Sequence, residues 1–164
     1  SYAGLNGNYR YNPTNGSFYW RNPTTAAWAD AYNPTTSASN CGITFNGMCG
    51  YLAVPNTVAE STFIGEALGT GWIGVIKSNG LRYISNAPSD IAGTTVSVTN
   101  WNTSEGGTAG ENYVGISTTT GKWADLSTQI WNPIYEFGGK SVGGKSETQI
   151  FAAITDCLGA AANL

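Results

Sequence analysis

The sequence contains no histidine. Without an imidazole, Ser-His and Cys-His nucleophilic catalysis is excluded, and zinc loses one of its usual ligands. Charge is sparse: 10% of the 164 residues are charged, with 7 Lys plus Arg against 10 Asp plus Glu and a net charge of −3. No basic cluster is present that could neutralise a run of phosphates, so nucleic acid is not an expected partner. No run of about 20 apolar residues occurs, so no membrane-spanning helix is expected. Cysteine is limited to three residues with no Cys-x-x-Cys pair, which again argues against structural zinc.

What is present is aromatic and neutral-polar. Aromatics make up 12%, with six Trp and nine Tyr, and hydrophobic residues 41%, a composition opposite to that of disordered chains. The length suits one domain, expected over residues 1–164. Asn, Thr, Ser and Gly supply the polarity that charges do not, a balance that points to an extracellular or cell-surface location. The chain begins at Ser1 rather than Met, as a processed precursor or an excised fragment does. In that setting Cys41 and Cys49, in NCGITFNGMCG, are expected to form a disulfide. Closing so short a loop contributes about 2.5 kcal/mol in the chain-entropy account. Cys157 is left over, either as a small buried hydrophobe or as a bond to another copy or partner.

Asn-Pro-Thr recurs at Asn12, Asn22 and Asn33, where proline disfavours helix in the preceding residue and so marks turns rather than a structural repeat. GSFYW reads as a strand and TTAAWADAY as a short helix capped at Thr24 or Thr25, with Pro34 beyond its end. GYLAV is a short strand. NTVAESTFIGEAL is the clearest helix: Thr57 and Glu60 form a Thr-x-x-Glu capping box, Val58, Phe63, Ile64, Ala67 and Leu68 give an apolar stripe, and Gly69 and Gly71 end it. GWIGVI, LRYIS, TTVSVTNW, NYVGIS, KWADL and PIYEFG follow as strands. Two helices early and many strands late make this an α+β chain.

The segment NWNTSEGGTAGENYVGISTTTGKWADL, residues 100–126, gathers Glu105, Glu111 and Asp125 in a chain with only ten acids. Three carboxylates at the ends of one loop would repel one another unless solvated, and a divalent ion would relieve that repulsion.

The order of landmarks (helix, GYLAV, capped helix, WIG, NW, a Gly-rich acidic loop, ENYV, W-x-D, YEF) resembles the C-type lectin-like domain. The likeness runs over about residues 16–139, leaving 140–164 as a C-terminal extension, and is nearest to the bacterial-type branch without the usual disulfides. It implies two early helices, antiparallel sheets and a long loop region held by calcium. Glu105 takes the place of the glutamate of Glu-Pro-Asn, Glu111 that of the acid before the Asn-Tyr strand, and Asp125 that of the aspartate of Trp-Asn-Asp. These three are the expected metal ligands. Asn102 and Asn112 join them as ligand-binding candidates, with Ser104 as a further substitute donor. Gly106, Gly107 and Ala124 stand where the family has Pro, Asn and Asn, so the usual sugar-chelating geometry is not expected. Tyr113 and Tyr135 stand in place of two family cysteines. Trp72, Trp101 and Trp123 read as core or loop anchors, whereas Trp20 and Trp131 are free to be exposed.

The leading function is a non-catalytic extracellular recognition module that binds a glycan or cell-surface protein through the face formed by residues 100–125. The alternative is a self-assembling subunit of a surface filament, appendage or virion. Ice binding ranks lower, because the threonines cluster in loops. Catalysis ranks last: Glu105 and Glu111 lack the apolar pocket that would raise one carboxyl of an acid-base pair.

Overall fold

The computed structural model describes residues 8–32, 41–45 and 48–138. Asn33, Cys157 and the expected C-terminal extension lie outside the described residues. In chain order the elements are β1 (Asn8–Asn12), β2 (Ser17–Arg21), β3 (Ala26–Ala27), α1 (Trp28–Tyr32), β4 (Ile43–Phe45), β5 (Met48–Leu52), α2 (Val58–Ala67), β6 (Gly71–Lys77), β7 (Leu81–Tyr83), β8 (Tyr113–Ile116), β9 (Trp123–Leu126), β10 (Ile130–Trp131) and β11 (Ile134–Phe137). They form a five-stranded sheet in the order β1-β2-β11-β5-β4, a four-stranded sheet β7-β6-β8-β9 and a two-stranded β3-β10 ribbon. This is the α+β architecture expected from the sequence.

The first strands and the last described strand close on each other. β1 and β2 make a hairpin whose turn is set by Asn12: its Oδ1 accepts from the Thr14 N–H and its carbonyl from the Gly16 N–H. Asn22 repeats the device, its Oδ1 accepting from the Thr24 N–H, so the Asn-Pro-Thr triplets act as side-chain-to-backbone turns. β11 then inserts between β2 and β5, antiparallel to both. Directly opposed aromatics hold that register: Trp20 stacks on Tyr135 at 5.8 Å and Phe18 meets Phe137 at 5.5 Å. Trp20, left open to exposure by the sequence, is buried, because its strand is covered on both faces. Tyr135 also donates its hydroxyl to the Ala31 carbonyl, and Tyr113 stacks on Trp28 at 4.8 Å. Aromatic packing thus occupies both positions assigned to missing cysteines. The Cys41–Cys49 disulfide is formed, with Cα atoms 5.4 Å apart, and ties the β4-β5 hairpin.

α2 starts as its sequence dictates. The Thr57 side chain accepts from the Glu60 N–H, while Glu60 reaches one residue further back than the simple box, to the Asn56 N–H. Leu68 and Gly69 both donate to the Ile64 carbonyl and close the helix, with Gly69 at φ +111°. Two expectations are corrected. Ala26 and Ala27 pair with β10 as strand, so α1 begins only at Trp28. TTVSVTNW is not a strand: it touches the sheets only at isolated bridges, Thr95 to Arg82 and Trp101 to Trp123. Its alternation is a loop that buries Val96 and leaves Val98 exposed.

Two glycines set how α2 meets the second sheet. A Cβ on Gly65 would lie 2.3 Å from the Gly121 nitrogen, and one on Gly121, at φ +86°, would lie 2.2 Å from the Ser61 carbonyl oxygen. Helix backbone therefore rests directly on the 118–121 turn. Beside it, Trp123 Nε1 donates to Ser61 Oγ. On the other side of α2, Glu60 and Glu136 are both buried. Glu60 accepts from the Tyr19 hydroxyl and from Asn15 Nδ2; Glu136 accepts from Ser17 Oγ at 2.8 Å and the Val54 N–H at 3.1 Å. Burial, reinforced by the Glu60 charge, pushes Glu136 up to about 8, partly opposed by those hydrogen bonds. Burial also raises Glu60.

Replacing Gly65 by Ala should lower stability by about 1–3 kcal/mol in urea unfolding, because overpacking against Gly121 outweighs the gain of at most about 1 kcal/mol from helix propensity. A carboxyl whose pKa is higher in the fold holds its proton more tightly there. The stabilisation from Glu136 is therefore complete below its ordinary value of 4.5 and is lost as pH rises toward about 8. The melting temperature should fall by several degrees between about pH 5 and pH 8, and Glu136→Gln, which keeps an acceptor for Val54, should flatten that slope.

Candidate functional site

The candidate face is the second half of the long excursion between β7 and β8. The first half, from Ile84 to Val96, folds back on β7: Tyr83 N–H donates to the Thr94 carbonyl, Val96 N–H to that of Leu81, and Arg82 Nη1 to that of Gly93. From Ser97 the chain crosses to β9. There Trp123 N–H donates to the Asn100 carbonyl and Asn102 N–H to the Trp123 carbonyl, both at 2.8 Å. Asn100 is buried; its Nδ2 donates to the Gly121 carbonyl, and Lys122 Nζ donates to its Oδ1. Trp101 packs edge-on against the buried Trp123 at 5.7 Å, the anchor role expected of both. Trp72 is fully buried, and the half-buried Trp131 meets it edge-on at 5.3 Å.

The next turn explains why Gly106 differs from the family pattern. Its φ is +94°, and a Cβ there would lie 2.6 Å from Cε2 of the Trp101 indole. Proline, held near φ −65°, cannot take that conformation. Ser104 too is left-handed, at φ +66°. The chain thus turns tightly over an indole, and its backbone N–H groups point inward.

Those amides converge on Asp125. The residue is 1% exposed; its Oδ1 accepts from the Gly106 N–H at 2.8 Å, and its Oδ2 accepts from the Thr108 N–H at 3.1 Å and from Lys77 Nζ at 2.5 Å. Burial alone would raise the Asp125 carboxyl. The Lys77 ammonium and the two amides more than offset it and hold the carboxyl far below the usual range. Lys77 ends β6 and makes two further contacts with the loop: Nζ to the Thr108 carbonyl at 3.3 Å, and its own N–H to the Asn112 carbonyl at 2.8 Å.

Of the residues singled out by sequence, Glu105 is exposed and close enough to Asp125 for a hydrogen bond between the two carboxyls to raise it, with the Asp125 and Glu111 charges adding to the effect. Glu111 is half-buried, its N–H donating to the Thr108 carbonyl. Asn102 is half-buried and tied through its backbone, and Asn112 is exposed. The acids are therefore brought to one corner, but Asp125 faces inward. Lys77 was missed. It lies two residues beyond Val75, which is fully buried and shares its regular register with β7, and a lysine in phase with a buried position was the available sign.

The expected calcium ligands do not fit the ion as they stand. Calcium takes about 6–8 oxygens. Both Asp125 oxygens already receive donors, one of them an ammonium that would repel a dication. Gly106, Gly107 and Ala124 bring no side-chain oxygen, and among the described residues no group of three or more Asp, Glu, Cys or His side chains is arranged to hold a metal. The physical reason is that Lys77 already neutralises Asp125, the most buried of the three acids.

No family model and no curated protein sequence matches the chain. Solved structures do. The C-type lectin domain of murine dendritic cell inhibitory receptor 2, in complex with N-glycan, matches at 20% identity and a TM-score of 0.58, over 82% of this chain and 99% of that one. A Ca2+-dependent type II antifreeze protein in its Ca2+-free form matches at 18% identity and 0.56, over 80% and 98%; a calcium-independent type II antifreeze protein matches at 17% and 0.57, over 82% and 94%. The shared backbone thus occurs in a Ca2+-dependent and in a calcium-independent protein and does not by itself decide the metal. The closed β2-β11 pairing, the capped α2 and the long excursion anchored on Trp123 agree with these matches: the chain has the C-type lectin-like fold.

Proposed function

We propose that the chain is a non-catalytic recognition module, acting outside the cell or at its surface, that binds a glycan or a protein on the face built by residues 100–125. The observation that carries this reading is a loop whose backbone is fixed from within while its side chains face solvent. Thr103, Ser104, Glu105, Thr108 and Asn112 are all exposed on a stretch tied down at Asn102, Gly106, Thr108 and Asn112. A face that is already ordered loses little conformational entropy when it binds. The murine receptor domain solved with N-glycan supports a glycan as ligand. Its hydroxyls would be met by the Glu105 carboxylate, the Asn112 amide and the threonine hydroxyls, not by a calcium-bridged diol. Glu105 is exposed and lacks the apolar surroundings that tune a general acid, which supports a non-catalytic role. Among the described residues no helix is long and apolar enough to cross a membrane.

A glycan array followed by titration on the retained sugar tests this. Glu105→Ala combined with Asn112→Ala should weaken binding by about tenfold or more, at about 1–1.5 kcal/mol per lost hydrogen bond, with little change in melting temperature because both side chains are exposed. A blank array and no protein ligand, together with ordered polymers of the purified chain under the electron microscope, would overturn the reading in favour of a self-assembling structural subunit.

A further inference from the structure

The long loop has the charge of a metal site and the wrong donors for one. Glu105, Glu111 and Asp125 lie at one corner, and the most buried of them is satisfied by a lysine from a neighbouring strand. We propose that the Lys77 ammonium is the resident cation of this loop, performing from within the chain the organising role that a bound divalent ion would otherwise perform. This goes beyond the recognition reading and does not depend on what the face binds.

The geometry supports the equivalence at three points. First, the ammonium makes contacts of the kind an ion makes: a carboxylate oxygen at 2.5 Å and a backbone carbonyl at 3.3 Å, both on the loop or on the strand that receives it. Second, it couples segments distant in sequence. Lys77 on β6, Thr108 in the loop and Asp125 on β9 meet at one charge, and the Lys77 N–H adds Asn112. Third, the charge is sheltered: the Lys77 side chain is 23% exposed and that of Asp125 0%, so water screens the pair less than it would a surface pair. Taking away one partner of such a pair leaves an uncompensated buried charge. Here that charge would be the Asp125 carboxylate, with the Glu105 carboxyl beside it to add repulsion.

The anchor also accounts for the absent amides. Gly106 and Thr108 turn their backbone N–H groups onto Asp125, which is compatible with a carboxylate paired to an ammonium. A loop held in this way needs no asparagine at positions 107 and 124.

The test is thermal unfolding of the full chain in millimolar calcium and in chelator. Wild type should melt at the same temperature in both. Lys77→Met, which keeps the length of the side chain and removes its charge, should melt several degrees below wild type in both, because the acids left behind lack the set of oxygens that calcium needs. Lys77→Arg should retain most of the wild-type stability and show no calcium response. The double variant Lys77→Met with Asp125→Asn removes both charges; it should melt above Lys77→Met in chelator and ignore calcium, and it remains informative should the single variant fail to fold. A wild-type midpoint that rises with calcium would overturn the proposal. So would a Lys77→Met variant as stable as wild type, or a double variant no more stable than the single one.

Discussion

The structure depends on the insertion of β11 between β2 and β5. That pairing joins two ends of the described chain that are more than a hundred residues apart, and it is secured by aromatic pairs placed directly opposite each other, Trp20 on Tyr135 and Phe18 on Phe137. Contacts so distant in sequence are expensive in loop-closure entropy, and large apolar side chains offset that cost with the most buried area per residue. Once the closure exists, α2 has a surface on each side. Glu60 is drawn in toward Glu136 on one side, while the helix backbone lies against the 118–121 turn on the other. The second sheet and the long loop inherit their placement from that contact, through Gly121, Lys122 and Trp123.

The buried acids and the loop acids show how differently one fold treats the same functional group. Burial and the neighbouring Glu60 charge hold the proton of Glu136 into the neutral range, against the neutral donors around it. Asp125, equally hidden, faces an ammonium and two amides and stays ionised far into acid. The first is tolerated because a protonated carboxyl is only a polar group. The second is useful because a full charge can gather donors from two other segments, β6 and the loop, at once.

Elements whose signals are local were legible in the sequence. The Thr57 cap, the Asn-Pro-Thr turns, the WIG and YEF strands and the Cys41–Cys49 pair all follow from neighbours within a few residues. The errors came where partners are remote. TTVSVTNW alternates as a strand should, yet it meets β7 and β9 only at single bridges, at Thr95 and Trp101, and not along a ladder. Ala26 and Ala27 carry helix propensity but are claimed by β10, a partner more than a hundred residues downstream. At the site, the three acids could be found because they share one loop. Their cation showed only as a lysine in phase with a buried position, since Lys77 belongs to another strand and nothing in IKSNG points to Asp125.

The shape of the 102–112 loop is written in backbone amides and one interior charge. Gly106 and Thr108 hold it through N–H groups, which every residue but proline possesses, and the Thr108 and Asn112 carbonyls that meet Lys77 are equally indifferent to side chain. Positions 103, 105 and 107–109, exposed and not constrained by packing, are therefore nearly silent in the folding of the loop. Such a surface can drift in sequence, and so change what it contacts, while its contour stays the same. It separates the part of the chain that must be inherited from the part that is open to selection for a new partner.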